Sequence, residues 1–82
     1  MTREQIYEKL NGIFKEIFDD EELTINDLTT ADDIEDWDSL EQINLIASIE
    51  KTFKIKLNVK QINSLKNVGG MVDVIMKEVN MR

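Results

Sequence analysis

The 82 residues of this chain are enough for one hydrophobic core and too few for two, so a single domain spanning 1–82 is expected, with little apolar material left for an enclosed active site. Cysteine and histidine are both absent, which excludes disulfide staples and thiolate metal sites and removes the commonest general base; neither self-contained catalysis nor a metal site is expected. A formal charge of -7 argues against nucleic acid, whose phosphates demand a basic stripe, and favours basic protein partners.

The charge is also polarised along the chain. Acidic residues crowd Asp19 to Glu22 and Asp32 to Asp38, whereas Lys51, Lys54, Lys56, Lys60 and Lys66 follow in the second half. No apolar run reaches the length of a membrane span, and the N-terminus lacks the charged, apolar and small-residue zones of a secretory signal. A soluble, cytoplasmic, monomeric protein without membrane insertion is expected.

Taken in order, Ile6, Leu10, Ile13, Phe14, Ile17 and Phe18 recur at the spacing of a single helical stripe, which predicts a first helix. Thr2 can cap it, and Gln5, three residues later, can close a capping box. From about Asp19 to Asp38 no period is sustained, and the Thr, Asn and Asp content favours local side-chain hydrogen bonds over helix. So long a loop in a compact domain is either functional or disordered. Leu23, Ile25, Leu28, Ile34 and Trp37 argue against disorder and are expected to pin the loop across the bundle.

Asp38 can cap the next helix, with Glu41 three residues on completing a second capping box, so the second helix is predicted to start at or near Ser39 and to run to about Thr52. After the alternating Lys54-Ile55-Lys56-Leu57 connection, a short helical turn is predicted from Asn58 or Val59 to Leu65. The last helix carries Val68, Met71, Val72, Ile75, Met76 and Val79 on one stripe, with Asn67 placed to cap it and Gly69-Gly70 weakening its first turn. The fold class is therefore all-α: a small four-helix bundle, three helices longer and one short, with a long loop between the first and second.

Turning about 100 degrees per residue from Leu45 separates the second helix into two apolar faces. Leu45, Ile46, Ile49 and Phe53 share one quadrant and read as core. Leu40, Ile43 and Ala47 cluster on the far side, bordered by Asn44, Ser48 and Lys51 on one flank and Glu50 on the other. So small a bundle has difficulty burying both, and the second stripe is expected to bind partner proteins rather than to pack against the loop.

Asp38-Ser39-Leu40, opening a helix after an acidic loop, resembles the phosphopantetheine attachment motif of acyl carrier proteins. The likeness extends over nearly the whole chain: a helix near the N-terminus, a long loop, the motif helix ending near Phe53, a short helix and a last helix. The resemblance implies that Ser39 is the serine whose hydroxyl a phosphopantetheinyl transferase links to 4'-phosphopantetheine, drawn from coenzyme A with magnesium. The arm's thiol would then carry acyl intermediates as thioesters between acyl-loading, condensing or acyltransferase enzymes of fatty-acid, polyketide or related specialised biosynthesis. Asp38, Leu40, Glu41, Ile43 and Ala47 are the expected partner-recognition residues. No residue of this chain is expected to be catalytic. The residue chemistry agrees, because a serine hydroxyl is a weak nucleophile without an adjacent base and no histidine exists here to supply one.

The chain also departs from the common fatty-acid carriers. Trp37 precedes Asp38 where those carriers do not usually have tryptophan, Asn44 and Lys51 stand where they tend to have glutamates, and Lys60 falls in a short helix that is usually acidic. A carrier for a specialised pathway is thus at least as well supported as the general fatty-acid carrier, and an aminoacyl carrier stays open. The rival from another class is a helical adaptor with no prosthetic group. A calcium loop over Asp32 to Asp38 is rejected, since the run lacks the central glycine and puts Ile34, Trp37 or Leu40 where ligands belong.

Overall fold

The computed structural model describes residues 1–81. Over these, four α-helices follow one another: α1 Arg3–Ile17, α2 Ser39–Phe53, α3 Val59–Asn63 and α4 Val68–Asn80. The expected all-α architecture, three longer helices and one short, is the one found. At the start of α1 the Thr2 hydroxyl accepts from the Gln5 amide at 3.2 Å, and the Gln5 side-chain oxygen accepts from the Thr2 amide at 2.9 Å. This reciprocal pair satisfies two of the amides that a helix start leaves without partners.

The core forms where α1 packs against both α2 and α4. Ile6, Leu10 and Phe14 of α1, Leu45 and Ile49 of α2, Ile62 of α3, and Val68, Val72 and Ile75 of α4 are its most deeply buried side chains. Each such side chain contributes roughly 1.5 to 3 kcal/mol on leaving water, so these stripes, and not helix propensity, hold the helices together. In the connection after α2 the alternation is realised literally. Ile55 and Leu57 are buried while Lys54 and Lys56 face solvent, and the Glu50 carboxylate accepts from the Leu57 amide at 2.9 Å.

The loop between α1 and α2 is ordered by apolar anchors and by hydrogen bonds, and it contains a 3-10 turn at Ala31–Asp33. Ile25 and Ile34 are buried, and Leu23 and Trp37 pack partly against the core, as expected. Leu28 does not: it is 80% exposed. The reason is a tight turn in which the Asn26 side chain accepts from the Leu28 amide and the Asn26 carbonyl accepts from the Thr29 amide, leaving Leu28 at the outer corner. The inner side of that turn meets the start of α4, where the Val68 and Gly69 amides donate to the carbonyls of Thr29 and Asp27 at 2.8 and 3.0 Å.

Arg3 reinforces the same junction, donating to Asp73 at 2.6 Å and to Asp27 at 2.7 Å, while the Tyr7 hydroxyl donates to that Asp27 carboxylate. The short helix α3 ends at Asn63, before the expected Leu65. Ser64 closes it, its hydroxyl donating to the Gln61 carbonyl at 2.7 Å while its amide is shared between the Lys60 and Gln61 carbonyls.

Candidate functional site

The site is built around the first turn of α2. Asp38 takes the extended conformation of a helix cap, and its carboxylate accepts from the Glu41 amide at 2.9 Å. The second half of the expected capping box is missing. The Asp38 amide already donates to the Asp36 carbonyl at 3.0 Å, so Glu41 is released and its carboxylate accepts from the Asn44 side chain at 3.0 Å instead.

Ser39 is the first residue of α2 and is exposed. Its hydroxyl has no hydrogen-bond partner among the described residues, and the chain has no histidine to activate it. The amides of Ser39 and Leu40 likewise meet no acceptor among the described residues. An outward hydroxyl next to free helix-start amides is a place where a phosphate diester is accommodated without displacing any existing contact.

Trp37 fixes the approach to this turn. Its ring packs edge-on to Phe14 at 5.3 Å and lies 6.0 Å from Phe18, while its indole nitrogen donates to the Gln42 side chain at 2.6 Å. Gln42 in turn donates to Asn63 of α3 at 3.3 Å. The loop end, α2 and α3 are thereby linked through one side chain.

The two faces of α2 are separated as the spacing predicts. Leu45, Ile46, Ile49 and Phe53 are buried, whereas Leu40 is 65% and Ile43 63% exposed, and Ala47 faces solvent beside them. Asp38 stands exposed at the head of this strip, and Glu41, half-buried, lies to one side of it.

A groove that residue patterning did not reveal opens beside Ser39. It encloses about 560 Å³, is open to solvent, and runs between α2, α3 and the start of α4, with Ile43, Ile46, Val59, Ile62 and Leu65 among its walls. The one sequence signal for it is the pair Val59 and Ile62 in the short α3, with Val59 half-exposed.

The family described as the phosphopantetheine attachment site matches residues 8–75. The chain belongs to that family, the one of the acyl carrier proteins. An acyl carrier protein of Coprothermobacter proteolyticus is 32% identical over 82 residues, covering 92% of this chain and 92% of the relative. Another, of Petrotoga mobilis, is 28% identical over 83 residues, covering 99% of this chain and 95% of the relative. The solution structure of a holo acyl carrier protein from Geobacter metallireducens superposes with a TM-score of 0.85 at 39% identity, covering 92% of this chain and 86% of that one. Phosphopantetheine is accordingly the prosthetic group of this carrier, and its role is to be acted on by enzymes rather than to catalyse.

Proposed function

We propose that Ser39 is the attachment point, and that this cytoplasmic, monomeric protein carries acyl intermediates between the enzymes of a fatty-acid, polyketide or related specialised pathway. The observation that carries the reading is the Ser39 hydroxyl itself, exposed and unpartnered at the first position of α2. Once bound, the phosphopantetheine arm supplies a terminal thiol that holds cargo as a thioester. The chain's own residues do the rest. Asp38 and Trp37 hold the serine at the surface, and Asp38, Leu40, Glu41, Ile43 and Ala47 meet the incoming enzymes. A phosphopantetheinyl transferase is expected to bring the base, because no histidine exists here to pair with the Ser39 hydroxyl.

The apolar-walled groove beside Ser39 favours cargo with an apolar chain over the aminoacyl alternative. The test is the intact mass after incubation with coenzyme A, magnesium and a broad-specificity transferase. One phosphopantetheine is expected on the wild type and none on Ser39→Ala. An unmodified wild type would favour the adaptor without a prosthetic group. Ser39→Ala should change stability by less than about 0.5 kcal/mol, since the hydroxyl makes no contact that its loss would break.

A further inference from the structure

We propose that Gln42 and Asn63 are specificity-determining residues of the groove, favouring a cargo chain with a hydroxyl close to its thioester over a ketone or a fully reduced chain of the same length. The proposal rests on the carrier reading above and narrows the cargo class. Ser39, Gln42 and Ile46 lie on successive turns of one face of α2, and all three border the groove. A chain entering from the Ser39 end therefore meets Gln42 before the buried apolar walls at Ile46, Ile62 and Met71. An oxygen near the thioester comes to rest at Gln42, with an apolar tail beyond it.

Trp37 sets the orientation of Gln42. An indole nitrogen donates and never accepts, so the Gln42 oxygen must face it, and does so at 2.6 Å. The Gln42 side-chain nitrogen is thereby turned toward α3, where it donates to the Asn63 oxygen at 3.3 Å. This second bond is exposed and longer than the usual upper limit of about 3.2 Å for such a pair. It is the link that opens at least cost when a chain passes between α2 and α3.

Opening it turns a donor on Gln42 and an acceptor on Asn63 toward the cargo. A hydroxyl answers both, accepting from Gln42 and donating to Asn63 with neither side chain turning. A ketone only accepts, so Asn63 must first turn its amide nitrogen inward. That nitrogen has no partner among the described residues, which leaves the rotation open. A methylene answers neither group and covers both without replacing their bond. Polar groups left unpaired in this way are what let a site built for hydrogen bonding reject a cargo that lacks the matching group.

The test loads the full chain with octanoyl, β-ketooctanoyl or β-hydroxyoctanoyl phosphopantetheine from the matching coenzyme A thioesters. Cleavage of each thioester by hydroxylamine is timed against the same acyl group on free pantetheine, so that only shelter by the protein is compared. The β-hydroxy chain is expected to be sheltered about threefold to tenfold more than the octanoyl chain, with the β-keto chain between them. The Gln42 side-chain amide resonances should move on loading with the β-hydroxy chain, while the indole N–H of Trp37, the one tryptophan, keeps its place. Asn63 is exposed at the end of α3, so its replacement leaves the core intact. Asn63→Leu should abolish the preference. Asn63→Asp keeps the acceptor and has no amide nitrogen to turn inward, so the β-hydroxy chain should stay ahead while the β-keto chain falls to the level of octanoyl. Equal shelter of the β-hydroxy and octanoyl chains would overturn the proposal, as would a β-keto chain sheltered best or an order unchanged by Asn63→Leu. A wild type that the transferase never loads removes the carrier reading and the proposal with it, whereas a loaded chain without the preference removes only the selection by Gln42 and Asn63.

Discussion

Two glycines in helices carry opposite expectations, because their surroundings differ. At Gly69 an added Cβ would stand 2.8 Å from the Asp27 carbonyl oxygen and 3.0 Å from the Asp27 Cβ, in the junction where the loop meets α4. Gly69→Ala is expected to cost roughly 1 to 3 kcal/mol, because backbone must move to admit the methyl group. At Gly12, within α1 and exposed, nothing lies within 4 Å of the added atom. Gly12→Ala should stabilise by about 0.5 to 1 kcal/mol through reduced backbone entropy of the unfolded chain. Urea denaturation of both variants checks the pair, and equal signs would refute the account of the junction.

The same junction gives stability a pH dependence. The Tyr7 hydroxyl and then the Arg3 guanidinium hold the Asp27 carboxyl below the usual carboxylate range. A depressed acid contributes stability that is present above its unfolded value, about 3.9, and is lost as pH falls through the folded value. Burial, then the Asp27 hydrogen bond, pushes Tyr7 up to about 12. A raised phenol contributes stability below its unfolded value, about 10, and loses it as pH climbs toward the folded one. The difference in denaturation midpoint between wild type and Asp27→Asn should therefore shrink as pH falls below about 4. A difference independent of pH there would show that the carboxylate is not the group responsible.

On the scale of an element, α2 has one face that holds the molecule together and one that faces outward. Ile46 is 5% exposed and Ile43 63%. Ile46→Ala should cost roughly 2 to 5 kcal/mol, a large part of what a domain this small possesses. Ile43→Ala should cost less than about 1 kcal/mol and lower the efficiency of transferase or partner enzymes instead. Denaturation curves and kinetics on both variants, under one salt condition, make the comparison. Comparable destabilisation with unaltered kinetics would make the outer stripe structural. The faces were legible because helical period and apolar content are properties of a short stretch of chain. The half-formed cap at Asp38 was not, since whether Glu41 is recruited depends on where the preceding loop sends the Asp38 amide.

Across the whole molecule, a net charge of -7 and an acidic approach to Ser39 should steer a basic transferase toward the serine. The kcat/KM for loading is expected to fall as salt rises, because the attraction is screened over about 10 Å at 0.1 M. Lys51 and Lys60 temper the field, so Lys51→Glu should steepen the salt dependence. A flat profile with both proteins folded would remove electrostatic steering from the account.

The sequence by itself determined the helices, their inner and outer faces, the anchoring by Ile25 and Ile34, and the resemblance centred on Ser39. Each follows from periodicity, capping chemistry or motif, and these act within a few residues of one another. Tertiary structure alone decided that Leu28 turns outward, that Gly69 is needed for a close approach and not merely tolerated, and that Arg3 joins partners 24 and 70 residues away. It also decided the groove, whose volume is the gap left between helices once their stripes have packed. Contacts at such separations leave no period along the chain, and an empty space has no residues of its own to announce it.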